Sequence, residues 1–238
     1  MSSTLRSRPV VAIDGPAASG KSTTARAVAA ALGFAHVDSG ALYRAMTLLA
    51  LELPGPPERW RAPDIVAAAR GRGLGLAPLA AGSTARVTLG GAVLGDELRT
   101  EAVTREVSRV AAMGPVREFV NAVIRAAVPD GGVVLDGRDI GTAVFPDAEV
   151  KVFLVADPAE RARRRLAEQG RAADAGSLTA EARDLVRRDD HDASRGVAPL
   201  ARAADAALLD TTTLSFEEQV RAVVEMARRR AARGAAPP

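Results

Sequence analysis

Two periods of apolar residues run through this chain. Short uninterrupted runs at 10–13, 34–37, 133–135, 150–155 and 206–209, rich in Val, Ile, Leu and Ala, read as strands buried on both faces of a parallel sheet. Between them the spacing turns helical: 23–32, Ala-rich and stopped by Gly33; 43–51; 100–110; 115–127, with Pro115 in a first turn; a charged run after Asp157-Pro158; a stretch from Thr179 onward; and a last helix from Ser215 to Arg229. Ser215 with Glu218 fits a capping box. Alternation of strand and helix predicts an α/β fold, a five-stranded parallel sheet wrapped by helices.

Two stretches break the pattern. Residues 53–61 are Pro-rich and carry the only Trp, and short strand candidates follow at 73–76, 85–89 and 92–94, with Gly90-Gly91 as a hairpin turn. This predicts a small antiparallel insert over 53–127 within a core made of 10–52 and 128–230. Residues 170–177 are Ala-, Gly- and Asp-rich before a charge-dense helix, the composition expected of a mobile lid spanning about 166–196. Residues 1–9 and 231–238 are expected to be a disordered leader and tail.

Composition narrows the classes. The 238 residues are 47% hydrophobic, enough for a sizeable core, and contain no cysteine, so a disulfide framework or a thiolate metal site is excluded. No apolar run approaches a membrane span, and the N-terminus has no signal-peptide core; a cytoplasmic protein without membrane partners is expected. The isoelectric point near 10.1 comes largely from arginine, since 32 basic residues face 29 acidic ones. Aromatic residues, at 3%, are too few to stack bases, so no polynucleotide partner is expected.

The chemistry concentrates at Gly15-Pro16-Ala17-Ala18-Ser19-Gly20-Lys21-Ser22, a complete G-x-x-x-x-G-K-[ST] run between a strand and a helix. Its glycines let backbone N–H groups converge on phosphates, helped by the helix N-terminus; Lys21 reaches the β/γ-phosphates and the Ser22 hydroxyl faces Mg²⁺. Thr23 follows in the same turn. Asp136, delivered by the strand 133–135 to the same end of the sheet, is the candidate to hold Mg²⁺, directly or through water. Phosphoryl transfer also wants fixed positive charge around the transferred group, and Arg44, Arg117, Arg138, Arg161, Arg164, Arg165, Arg188 and Arg195 can supply it. Asp139 and Asp192 are either base- or sugar-reading acceptors or ion-pair partners of these arginines. His36 and His191 form no metal-ligand spacing, and His36 is expected to be satisfied locally. These residues leave open another small-substrate kinase, acting on UMP, AMP or shikimate, and a non-catalytic nucleotide switch.

Four motifs in order resemble the bacterial cytidylate kinase family: Ile13 through Ser22; Asp38-Ser39-Gly40-Ala41-Leu42-Tyr43-Arg44; Asp136-Gly137-Arg138-Asp139-Ile140-Gly141-Thr142 with Val144-Phe145-Pro146; and Arg188-Asp189-Asp190-His191-Asp192 with Arg195 before Ala198-Pro199-Leu200. The similarity runs from about residue 10 to residue 230. It implies a P-loop kinase with a helical lid and an enlarged nucleoside-monophosphate insert, phosphorylating CMP and dCMP, and UMP more weakly, with ATP and Mg²⁺. Nothing in the sequence demands an oligomer, so a monomer is expected. By the same resemblance Ser39, Arg44, Arg138 and Arg188 address the acceptor nucleotide and its phosphate. Ser108, Arg117, Asp139 and Arg195 read the cytosine edge, and Asp192 holds the sugar hydroxyls. Arg161, Arg164 and Arg165 face ATP, with Arg188 bridging donor and acceptor phosphates. Lys21, Asp136, Arg138 and Arg188 are then the catalytic set.

Overall fold

Val10–Asp14 (β1) is buried at all five positions because it lies in the middle of the sheet, with both faces covered. The computed structural model describes residues 8–128 and 131–234. Around β1 stand Ala35–Asp38 (β2), Val133–Gly137 (β6), Val150–Val155 (β7) and Ala207–Asp210 (β8), in the order β2-β6-β1-β7-β8 with every pairing parallel. All five predicted core strands are therefore in one sheet. Side chains alternate between its faces: Val10 and Ala12 pack into one core, Val11 and Ile13 into the other. The second core is closed by Ala25, Val28 and Ala29 of Lys21–Leu32 (α1) and by Val223, Val224 and Ala227 of Phe216–Gly234 (α8). The first is closed by Ser39–Leu51 (α2) and the inserted residues.

The insert contains a helix that its composition did not announce, Ala62–Gly71 (α3), with Pro63 in its first turn and Ile65 and Ala69 buried. Leu74–Leu76 (β3), Val87–Leu89 (β4) and Ala92–Val93 (β5) form the expected antiparallel sheet. The middle strand begins at Val87 rather than at residue 85 because the preceding backbone is used elsewhere. His36 N–H donates to Ser83 O (2.8 Å) and Ala85 N–H donates to His36 O (2.7 Å), so 82–85 lie along the open edge of β2. Glu101–Ala111 (α4) and Gly114–Ala127 (α5) follow, close to their predicted bounds.

Several boundaries shift for local reasons. Helix α1 starts at Lys21 rather than Thr23, since Gly20 takes a left-handed φ of 88° and turns the loop directly into the helix. Helix α2 starts at Ser39, so Ser39 and Arg44 stand on a helix. Asp139 is followed by a single π-helical turn, Ile140–Val144, whose first N–H groups, of Ile140 and Gly141, donate to Asp14 at 2.8 and 2.7 Å. Pro158–Glu168 (α6) is capped by Asp157 as predicted. Ala175–Ala193 (α7) begins four residues early, because Asp174 accepts the Ser177 N–H at 2.9 Å and caps it. The capping box of α8 is present: Ser215 N–H donates to Glu218 Oε2, and Glu218 N–H to Ser215 Oγ. Helix α8 runs on through Gly234, into the predicted disordered tail. Residues 1–7 of the expected leader and 235–238 of the tail lie outside the described residues. Among the described residues no helix is long and apolar enough to cross a membrane.

Candidate active site

The phosphate loop is shaped by its small residues. A Cβ on Gly15 would stand 2.2 Å from the Leu154 carbonyl oxygen, so only glycine lets the loop leave β1 against β7. Ala18 takes φ 56°, a left-handed conformation that non-glycine residues adopt at a cost of about 1–2 kcal/mol. Lys21 is buried, its Nζ donating to Pro16 O at 3.0 Å. Burial and the neighbouring charges of Arg138 and Arg188 lower its pKa to about 7. Arg188 is pushed down to about 10 by burial and by Arg138, Arg44 and Arg165, and burial lowers Arg44 too. So many cations pressing on one another mark a site short of negative charge, which a polyphosphate would supply.

Asp136 stands at the centre of this field. Ser22 Oγ donates to its Oδ2 at 2.5 Å. Burial pushes the carboxyl up, but hydrogen bonds from His36 and Ser22 and the Lys21 charge outweigh it and hold Asp136 below the ordinary carboxylate range. An ionised carboxylate beside a hydroxyl is a hard oxygen donor set. No group of three or more His, Cys, Asp or Glu that could hold a metal occurs among the described residues. By their oxygen chemistry Ser22 and Asp136 would suit Mg²⁺, an ion that keeps waters and phosphate oxygens as its other ligands.

Beside the loop a cavity of about 690 Å³ opens between the sheet ends, α2, the insert and α7. Every predicted acceptor residue lines it: Ser39, Arg44, Ser108, Arg117, Arg138, Asp139, Arg188, Asp192 and Arg195. Ser39 Oγ donates to Asp136 O (2.8 Å) and Arg44 to Thr104 Oγ1 (3.0 Å). Arg138 Nε reaches Asp192 Oδ2 at 3.0 Å, and Arg195 Nε donates to Asp192 O at 3.0 Å. At the far end Arg117 pairs with Asp139 at 2.5 Å, both almost fully buried, with the Tyr43 ring 5.0 Å from the guanidinium. Asp139 Oδ2 and the Tyr43 hydroxyl are buried there without hydrogen-bond partners among the described residues. Asp139 and Asp192 are thus ion-pair partners of arginines and cavity-lining acceptors at once.

The predicted ATP residues divide. Ala17, Ala18, Lys21, Ser22 and Arg165 line the large cavity, while Gly20 and Thr23 line both it and a second recess of about 240 Å³ on the other side of the α1 N-terminus. That recess is walled by Arg164, Arg163, Leu214 and Phe216. Gly15, Pro16 and Ser19 line neither cavity and shape the loop from behind. Arg161 is also in neither: it is buried beneath the loop, donating to Ala17 O at 3.1 Å and pairing with Asp189. Its guanidinium supports the loop from below, where a direct contact with ATP was expected.

The contacts of four residues of the site, His36, Thr84, Asp14 and Asp189, escaped sequence reasoning. His36 is not satisfied locally; its Nε2 lies 2.8 Å from Asp136 Oδ1 and its Nδ1 3.0 Å from Thr84 Oγ1. The register of the sheet makes this contact: His36 and Asp38 share a face of β2, and Asp38 is the Cα partner of Asp136, so His36 is the diagonal neighbour of Asp136. Asp14 ties β1 to the π-helical turn after Asp139. Asp189 ties α7 to the loop through Ala17 N–H (3.0 Å). Nothing in the sequence joined those segments. His191 is exposed on α7, away from these contacts.

The phosphate loop and the cation-crowded cavity with its polar far end lie side by side in one chain. The family model described as cytidylate kinase matches residues 11–229. A cytidylate kinase of Chlorobaculum tepidum is 42% identical over 95% of this chain and 96% of its own length. One from Desulfitobacterium hafniense is 45% identical over 91% of each chain. A bifunctional pantoate ligase/cytidylate kinase of Synechocystis is 42% identical over 92% of this chain and 42% of that longer protein. Matched across almost all of its described length, the chain belongs to the cytidylate kinase family.

Proposed function

We propose that the protein transfers the γ-phosphoryl group of ATP to CMP and dCMP, and less well to UMP, as a monomeric cytoplasmic enzyme. The observation that carries this is the convergence of Lys21, Arg44, Arg138, Arg165 and Arg188 on one cavity between the phosphate loop and a polar far end lined by Arg117, Asp139 and Ser108. One chain supplies every residue invoked.

Loop N–H groups and Lys21 hold the β- and γ-phosphates of ATP, and the smaller recess beside Thr23, Arg164 and Phe216 takes the adenosine end. Arg44 and Arg138 clamp the CMP phosphate, and Arg188 lies between the two nucleotides. A CMP phosphate oxygen attacks the γ-phosphorus, the bond to the β,γ-bridging oxygen breaks, and ADP leaves with that electron pair. The guanidiniums, charged throughout, stabilise the equatorial oxygens without proton transfer. Mg²⁺, held by Ser22 and Asp136, would neutralise charge on the β- and γ-phosphates.

At the far end the cytosine amino group can donate to Asp139, and its N3 and O2 can accept from Arg117, Arg195 or Ser108. Uracil carries a carbonyl where cytosine has the amino group, so the Asp139 acceptor disfavours UMP. Segments 53–127 and 166–196 then serve as acceptor insert and lid. A coupled ADP-release assay should show CMP and dCMP turned over much faster than UMP, AMP, GMP or shikimate; equal rates would refute the assignment.

A further inference from the structure

A buried hydrogen-bonded chain runs from the insert to the carboxylate assigned to Mg²⁺, and the reaction as described does not use it. His36, 1% exposed, touches Asp136 Oδ1 with Nε2 (2.8 Å) and Thr84 Oγ1 with Nδ1 (3.0 Å). An ionised carboxylate can only accept, so the ring proton stands on Nε2; in the neutral ring Nδ1 then accepts from the Thr84 hydroxyl. The backbone repeats the connection, since His36 bonds Ser83 and Ala85 on either side of Thr84. Thr84 itself lines the acceptor cavity.

With Oδ1 fixed by His36 and the Asp136 carbonyl oxygen accepting from Ser39, Oδ2 is left aimed at Ser22. We propose that His36 is a positioning residue that couples docking of the insert, through Thr84, to the orientation of Asp136, and so sets the affinity of the nucleotide site for a divalent cation. An apolar side chain could fill the same space but would leave Oδ1 buried without a donor and free to turn. Residues in this outer position tune metal affinity by about 10–100-fold. The inference rests on the assignment of Mg²⁺ to Ser22 and Asp136.

The test is Mn²⁺ binding measured by electron paramagnetic resonance on the full chain with ADP bound, so that no turnover is needed, alongside metal-free ADP binding by calorimetry. His36→Leu should weaken Mn²⁺ by about tenfold or more, leaving metal-free ADP affinity within about twofold, whereas His36→Gln, whose amide nitrogen reaches the Nε2 position, should recover it to within about threefold. Thr84→Val, which leaves the Asp136 contact in place, should give an intermediate loss and carries the test if His36→Leu does not fold. Unchanged Mn²⁺ affinity in His36→Leu, equal loss of metal-free ADP, or no recovery with Gln would overturn the proposal. Asp136→Asn separates the two ideas: if it too leaves Mn²⁺ affinity unchanged, the metal assignment fails, and if it alone weakens Mn²⁺, only the role of His36 fails.

Discussion

Asp189, on the helix after the Ala- and Gly-rich joint, accepts the backbone N–H of Ala17 at 3.0 Å and pairs with Arg161, which donates to the carbonyl of the same Ala17. Ala17 of the phosphate loop is therefore tied to α7 through its N–H and to α6 through its carbonyl, with the Arg161–Asp189 pair closing the link between the two helices. Asp189→Ala should free α7, seen as faster amide hydrogen exchange over 175–193, and Asp189→Asn should fall between, keeping an acceptor for Ala17 but losing the charge facing Arg161. Exchange unchanged in both variants would show that other contacts hold the helix.

Arg138 sits between Asp192 and the other cavity cations, where charge gathers in transfer. Arg138→Ala should lower kcat/KM for CMP by about 100-fold or more, with ATP affinity within about twofold. Steady-state kinetics with calorimetry of ATP binding checks both halves. Near-normal turnover would reduce Arg138 to a structural partner of Asp192.

The Arg117–Asp139 pair is almost fully buried. Removing one partner strands the other charge, so Arg117→Met should destabilise the protein by about 3–5 kcal/mol in urea unfolding. Adding Asp139→Leu should return most of that stability without restoring CMP turnover, because the acceptor for the cytosine amino group is gone. Recovery of both together would place base recognition elsewhere.

Burial raises the Asp14 pKa to about 6, with the N–H donors of Gly141 and Ile140 offsetting only part and Asp139 adding to the rise. A carboxyl whose folded pKa lies above its unfolded value binds more protons when folded. Its contribution to stability is thus complete below the ordinary value of 3.8 and lost as pH rises to about 6. Relative to Asp14→Asn, whose lost acceptor is a constant offset, the wild type should lose about 2–3 kcal/mol across that window. Urea midpoints of both proteins at several pH values measure it, and parallel curves would refute the shift.

The fold was largely legible because its signals are local. Fully apolar strands such as 10–13, stop signals such as Gly33 and caps such as Asp157 and Ser215 act over a few residues, and all appear in the structure. The helix α3 was missed because the Pro-rich stretch 53–61 read as loop and residues 62–72 after it were assigned no element; burial of Ile65 and Ala69 against the rest of the insert holds the helix there. Boundaries moved where a single side chain or backbone group found a partner: Asp174 at the start of α7, Ala85 on the edge of β2.

For the site, the chain order of motifs determined the phosphate loop and the arginines and carboxylates of the acceptor cavity, since each motif carries its own chemistry. Only the tertiary structure decided which of these touch. It placed Arg161 under the loop with Asp189, turned Asp139 toward Arg117, and brought Asp136 from a neighbouring strand and Thr84 from the insert to the two sides of the His36 imidazole. These contacts join residues from 22 positions apart, Arg117 and Asp139, to 144 apart, Arg161 and Ala17. No local periodicity reports them, because they exist only once parallel strands are in register and the insert lies along the sheet edge.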